Sequence, residues 1–260
     1  MHATAVHRNR IVPSASTTSA VAALFVSDCD RDGPAVAIPR SEIQMVVRFG
    51  PSARNGLDVH AFGARQAVHR KLVRAGQRSV TARLQLGASN AVLGVPAPAI
   101  AGRIVALEDL WGQVATRRLC ARLADARDTV DAAAILESAI AERLATAEGR
   151  SARARLALAA AERLASANVN AVAADLGVSE RHLRRLFRET IGVSPKAFAK
   201  LTRFHRALGA ARADAHAGWA SIAAAAGYYD QAHLIAEFRT IAGVTPRALL
   251  RELRAPPLIG

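Results

Sequence analysis

Residues 172–187 read VAADLGVSERHLRRLF. The spacing predicts a short helix, a turn centred on Gly177 and a second helix opening at Ser179. In that second helix Leu183, Leu186 and Phe187 fall on one face, and Arg181, Arg184, Arg185 and Arg188 fall on the opposite one. At about 100° per residue the four arginines span roughly 100° of arc. One face is built to bury, and the other presents fixed cations to a polyanion. A helix that enters the major groove of DNA needs that division. The alternative is a solvated charged face, but such faces more often mix signs for i,i+4 pairing. Here Glu180 and Glu189 stand only at the ends of the stripe.

The same pattern returns further along. VAADLG (172–177) matches IAAAAG (222–227) at an offset of 50, and LRRLFRETIGVSPKAF (183–198) matches LIAEFRTIAGVTPRAL (234–249) at an offset of 51. Leu183/Leu234, Phe187/Phe238, Gly192/Gly243 and Pro195/Pro246 are in register, with one extra residue in the second turn, around Tyr228, Tyr229 and Asp230. The repeat implies two helix-turn-helix units, and residues 194–213 read as a helix joining them. About 18 residues at 1.5 Å each give roughly 27 Å. That length suits two recognition helices in successive major grooves, about 34 Å apart.

The copies are unequal. Leu234, Ile235, Phe238 and Ile241 form the apolar face of the second recognition helix. Ala232, His233, Ala236 and Glu237 are expected opposite, with Arg239 at the edge. Ala232, Ile235 and Ala236 stand where the first unit has Arg181, Arg184 and Arg185, and Glu237 is expected to oppose phosphate. Gln231 and His233 are the remaining polar candidates. Of Tyr228 and Tyr229, one is expected to pack under the helix and the other to offer a hydroxyl to phosphate. Trp219 is expected to anchor the second unit's core. Lys196, Lys200, Arg203 and Arg206 line the connecting helix, facing phosphate or solvent.

Across residues 156–250 the chain resembles the AraC/XylS family of transcription regulators. The resemblance rests on the paired units, the G-V-[ST]-P motif after each recognition helix (192–195 and 243–246) and the aromatic in each, Phe187 and Phe238. It implies an α+β protein: an N-terminal β-rich sensor-like domain with two helices, then an all-α C-terminal domain with two helix-turn-helix units joined by a long helix. It implies base reading by Arg181, Arg184 and Arg185 and a phosphate contact by Arg188. Ser179 and His182, at the start of the same helix, join these candidates, as do Gln231, His233 and Arg239 in the second unit. An LGVPA segment (93–97) and an L-x-D-L-W-G segment (107–112) are similar to the partner domain of one subgroup, and they transfer no ligand. The implied partner is a double-stranded promoter site. RNA polymerase, a small-molecule effector and a second copy of the chain are further candidates.

Composition agrees. Of 260 residues 35 are basic and 21 acidic, a net charge of +14, and 51% are hydrophobic, enough for a core. Residues 1–150 carry +6 and residues 151–260 carry +8, so the shorter part is the more basic. A strongly basic chain favours an anionic partner. Two cysteines, Cys29 and Cys120, make neither a disulfide framework nor a zinc site, and a reducing, cytoplasmic setting with the nucleoid is expected. Residues 20–26 are apolar but too short to span a membrane, and no signal peptide is read. His60 and His69 lack metal-ligand spacing, and no phosphate loop or nucleophile motif is found. Neither cofactor, metal nor catalytic residue is therefore expected.

The domains are placed at 1–20 (disordered), 21–150 (sensor or dimerisation-like) and 151–254 (DNA-binding). The units are placed at about 170–191 and 219–242. Residues 42–50, 57–64, 69–76 and 79–88 read as strands and 89–94 as a helical turn. Helices are expected from Glu108 to Ala126 and, capped by Asp128, from Thr129 to Glu148, with a boundary at 149–151. Two other functions are weighed. A repair enzyme with a methyl-accepting cysteine would need a cysteine cluster near the start. A non-specific nucleoid binder would show equal affinity for any duplex.

Overall fold

Alternation of apolar and polar residues makes the N-terminal half a sheet. In the segment RSVTARL the side chains of Val80, Ala82 and Leu84 are buried while their neighbours are more exposed. A strand with one covered face has this period of two. The structure, a computed structural model, describes residues 7–13, 20–146, 152–214 and 216–254. Its strands are β1 (His7–Val12), β2 (Val21–Cys29), β3 (Gly33–Ala37), β4 (Gln44–Phe49), β5 (Leu57–Phe62), β6 (His69–Val73), β7 (Arg78–Leu84) and β8 (Ile104–Ala106). Six form an antiparallel sheet in the order β1-β2-β7-β4-β5-β8, and β3 pairs with β6 as a separate ribbon. Five helical segments accompany them: α1 (Ser89–Leu93), α2 (Ala97–Ile100), α3 (Glu108–Trp111), α4 (Gln113–Ala124) and α5 (Thr129–Thr146). α5 covers β2 and β7, placing Leu136 and Ile140 against Leu24, Val80 and Ala82 in the first core.

The strands expected at 42–50, 57–64, 69–76 and 79–88 are β4 to β7, and 89–94 contains α1. Asp128 caps α5 as expected, its Oδ1 accepting from the N–H groups of Val130 and Asp131, both at 2.8 Å. Two expectations need correction. Within the segment read as disordered, His7–Val12 is β1, running antiparallel to β2 from His7↔Cys29 to Val12↔Leu24. HRNRIV has no alternation of its own, and the open edge of β2 orders it. The rest of that reading, at 1–6 and 14–19, and the boundary at 149–151 lie outside the described residues. The helix expected from Glu108 to Ala126 is broken at Gly112, whose φ of 79° and ψ of 163° are not helical. Trp111, just before the break, donates from Nε1 to the Val92 carbonyl at 2.9 Å and belongs to the packing of the first core.

The C-terminal part is helical: α6 (Ala152–Arg163), α7 (Val169–Asp175), α8 (Glu180–Ile191), α9 (Pro195–Ala213), α10 (Trp219–Ala226), α11 (Gln231–Ala242) and α12 (Pro246–Arg254). The repeated G-V-[ST]-P motif is one helix stop fused to one helix start. Gly192 takes φ +88° and donates its N–H to the Phe187 and Arg188 carbonyls, closing α8. Ser194 then caps α9, its Oγ accepting from Ala197 N–H at 3.2 Å, and Pro195 opens the helix. Gly243 (φ +74°), Thr245 and Pro246 repeat this between α11 and α12, with Thr245 Oγ1 accepting from Ala248 N–H at 3.3 Å.

Each helix-turn-helix unit has its own core. Leu183, Leu186, Phe187 and Ile191 pack with Ala157, Ala160 and Val172. Leu234, Phe238 and Ile241 pack with Leu201, Phe204, Leu208 and Ile222, and Trp219 lies partly buried against them. The N-terminal domain contributes to both: Ala64 and Leu86 to the first, Val36, Ile38 and Val68 to the second. No helix among the described residues is long and apolar enough to cross a membrane.

α9 lies against the N-terminal domain, with the Nε2 of His205 2.8 Å from the Pro39 carbonyl oxygen. Burial, and then the Arg40 guanidinium, push His205 below its ordinary 6.5, while the Pro39 hydrogen bond and Glu42 act the other way and Arg83 adds to the lowering. The folded chain therefore takes up this proton less readily than the unfolded chain. The contribution of His205 to stability is complete above pH 6.5 and declines as pH falls towards the depressed folded value. His205→Gln, which keeps a neutral donor, is expected to flatten the loss of thermal stability between about pH 7.5 and pH 5.5. An unchanged slope in melting experiments would contradict this origin.

Candidate nucleic-acid interface

The first unit is α7, a turn and α8. Asn168 caps α7 through Ala171 N–H at 2.9 Å, and Ser179 caps α8, its Oγ accepting from His182 N–H at 3.2 Å. Leu183, Leu186 and Phe187 are all buried to 1% exposure or less. That fixes the rotation of α8 and leaves Arg181, Arg184, Arg185 and Arg188 exposed on the far side, with His182 half-buried. The stripe is less free of acid than its sequence suggests. Arg184 pairs with Glu180, Arg185 lies 4.0 Å from Glu189, and Glu189 also meets Arg153. The side chains of Arg184 and Arg185 are 60% and 64% exposed, so these pairs contribute at most about 0.5 kcal/mol each. Pairs this weak leave both guanidinium groups open to another acceptor. Arg181 and Arg188 have no ion pair among the described residues.

The second unit is α10, a turn and α11. Asp230 caps α11, accepting from His233 N–H at 2.7 Å. Gln231, Ala232, His233, Ala236 and Arg239 are exposed, and Leu234, Phe238 and Ile241 are buried. Glu237 does not join the exposed face. It is 7% exposed, and its Oε1 and Oε2 accept from Arg203 of α9 at 3.3 and 2.9 Å. The same carboxylate lies 3.6 Å from His233 Nε2. Arg203 also stacks over the Tyr228 ring at 5.5 Å, and Tyr228 meets the His233 ring edge-on at 5.3 Å. Burial, followed by the nearby Glu237 carboxylate, pushes the Tyr228 phenol up, so it stays protonated. Tyr228 is thus the packing tyrosine of the pair and Tyr229, 93% exposed, the outward one.

Two expectations change. Glu237 is an internal counter-ion and does not oppose phosphate. Arg203 is half-buried and paired with it, whereas Lys196 and Arg206 are exposed. The repeat carried the signal for Glu237: at the offset of 51 its counterpart is Leu186, a core residue. Missed altogether was Arg70, on β6, which reaches α11 and α12 of the second unit. Nothing in its local sequence marks that contact.

Two tandem helix-turn-helix units, one with an exposed arginine face on its recognition helix, form an arrangement suited to duplex DNA. Residues 172–252 match the family model described as a helix-turn-helix domain. The C-terminal part of the chain therefore carries a helix-turn-helix domain. The chain is similar to several solved structures. One is a DNA-binding transcriptional dual regulator from Escherichia coli K-12, with 22% identity and a TM-score of 0.34, covering 42% of this chain and 99% of that one. Another is ToxT from Vibrio cholerae with a bound unsaturated fatty acid, with 9% identity and a TM-score of 0.49, covering 92% and 97%. A third is ToxT bound to (E)-4-(8-methylnaphthalen-1-yl)but-3-enoic acid, with 9% identity and a TM-score of 0.48, covering 95% and 99%. No curated protein matches the chain.

Proposed function

We propose that the chain is a one-component, sequence-specific regulator that reads a promoter duplex asymmetrically. The carrying observation is the rotation of α8, which buries Leu183, Leu186 and Phe187 and turns Arg181, Arg184, Arg185 and Arg188 outward. Bidentate arginine to guanine O6 and N7 is the commonest specific base contact, and Arg184 lies mid-helix where such a contact forms. Arg188, a turn later, meets phosphate, and Ser179 and His182 approach the backbone at the helix start. In α11 the exposed Ala232 and Ala236 suit thymine methyl groups. Gln231, His233, Arg239 and Tyr229 hold the duplex, so the second unit mainly positions the protein.

The role of the N-terminal domain in this reading is contact with the helical domain. The cavity lined by Phe49, Arg78, Leu123 and Thr129 is about 60 Å³. A ligand pocket is roughly 300 Å³ or more, so this cavity would have to open to admit an effector. Cytoplasmic location, RNA polymerase contact and self-association accompany the reading. A methyl-accepting repair enzyme is disfavoured by both thiols. Burial pushes Cys29 and Cys120 up, and nearby carboxylates, Asp30 and Asp32 for Cys29 and Asp58 and Glu108 for Cys120, push the same way. Such thiols are poor nucleophiles.

A site selected from random duplexes tests the reading. Arg184→Ala is expected to lower affinity for it by about 1–3 kcal/mol and to relax preference at one base pair. Unchanged affinity and preference would remove Arg184 from the reading face. Equal affinity of the wild type for selected and random duplexes would favour a general nucleoid binder.

A further inference from the structure

We propose that the N-terminal domain braces both recognition helices at their C-terminal ends, and so sets the half-site spacing the protein accepts, with Arg70 as the positioning residue for the second helix. The inference rests on the DNA-reading function above.

A helix leaves its last carbonyls without donors from its own backbone. α11 ends at Ala242, and its last two carbonyls are satisfied from the other domain. Val68 N–H donates to the Ile241 oxygen at 2.8 Å, and the Arg70 guanidinium donates to the Ala242 oxygen at 2.9 Å. Arg70 goes on to grip Glu252 of α12 through two hydrogen bonds, at 2.8 and 3.2 Å. Its charge also meets the negative end of the α11 dipole. Val36, Ile38 and Val68 pack against the core beneath. The ribbon of β3 and β6, with the residue just before β6, therefore holds α11 by its end.

The first recognition helix is held at the same end. α2 packs on α8. Gly192, the residue after α8, lies so close to α2 that a Cβ on it would come within 3.2 Å of the Ala97 carbonyl oxygen. Thr190 and Ile191 face residues 41–43 and 85–89 across a gap of about 10 Å³, room for one water at most. Ala64 enters the first unit's core.

These contacts leave the DNA side open. Arg181, Arg184, Arg185, Arg188, Gln231, His233 and Arg239 are all outside the seam, and the hydrogen bonds and close approaches named above fall on the last turn of each recognition helix or beyond it. A cover would occlude the arginine face, and this arrangement does not. With α9 as their only tie, the units could rock about its ends. Tied through a third body, they cannot. Two modules at fixed separation meet their second half-site at high effective concentration, and lose that gain when the spacing is wrong.

The test uses the full chain and a duplex selected from a random library, the same duplex with the second half-site scrambled, and a series with base pairs inserted between the half-sites. Arg70→Glu is expected to lower affinity for the selected duplex about tenfold, to flatten the dependence on inserted base pairs and to leave the scrambled duplex unaffected. Arg70→Glu combined with Glu252→Arg rebuilds the ion pair but gives the Ala242 carbonyl no donor from position 70, so it is expected to restore affinity and spacing preference in part. The side chains of Arg70 and Glu252 are 43% and 32% exposed, so any fall in melting temperature is expected to be small beside the loss of affinity. Equal loss on both duplexes, an unchanged spacing preference, or tighter binding by Arg70→Glu would overturn the brace. Failure to select any duplex would instead overturn the DNA reading, and the brace with it.

Discussion

Replacing Glu237 by alanine is expected to destabilise the protein by about 2–3 kcal/mol and to weaken its hold on DNA. The sign on DNA is informative. An acidic side chain on the reading face would repel phosphate, and its removal would tighten binding. Glu237 is 7% exposed and paired with Arg203, whose side chain is 28% exposed. Removing the carboxylate leaves a largely desolvated guanidinium without its counter-charge. Breaking a buried pair costs about 3–5 kcal/mol, and the partial exposure of Arg203 reduces that here. α11 is tied to α9 through this pair, and Tyr228 and His233 lean on it. Urea denaturation and duplex titration read the two effects. Unchanged stability with higher affinity would return Glu237 to the surface.

Gly63→Ala is expected to cost about 3 kcal/mol or more, a fall in Tm of roughly 6–12 °C. A Cβ on Gly63 would stand 1.8 Å from the Ile100 carbonyl oxygen and 2.4 Å from its carbon. Both are backbone atoms, so no side chain can swing aside. Gly63 N–H also donates to the Arg103 carbonyl at 3.0 Å, and Gly102 N–H to the Ala64 carbonyl at 2.9 Å, which pins the two segments together. Relief requires α2 to move, and α2 is the element that packs on α8. The substitution should therefore loosen the first recognition helix as well as the sheet. Calorimetry with wild-type melting would show that the close approach is not maintained in solution.

Both residues mark the limit of what a linear pattern contains. The recognition helices were legible because burial has a period. Leu183, Leu186 and Phe187 must share a face, and once they do the arginines between them must point away. The repeat extended this to α9 and α12, since glycine, serine or threonine, and proline each perform one local task in stopping and starting a helix. The strands β4 to β7 were legible by alternation. β1 was not, because it is ordered by the edge of β2 and not by a pattern of its own. Glu237 was misplaced because a helical wheel puts a carboxylate outside by default, and only the approach of Arg203 from α9 makes burial affordable. The i,i+4 partners of Arg184 and Arg185 were visible, yet their significance depends on exposure, which the helix alone does not supply.

The sequence by itself determined that this chain carries two helix-turn-helix units, that the first presents a face of cations, and that the second lacks the equivalent side chains. Those properties are local, set by residues within a turn or two of each other. Only the tertiary structure decided which charges are free to meet DNA and how the two units are held relative to each other. The Arg203–Glu237 pair spans 34 residues and the Arg70–Glu252 pair spans 182. Contacts at such separations depend on how the chain packs, and no periodicity in the sequence records them.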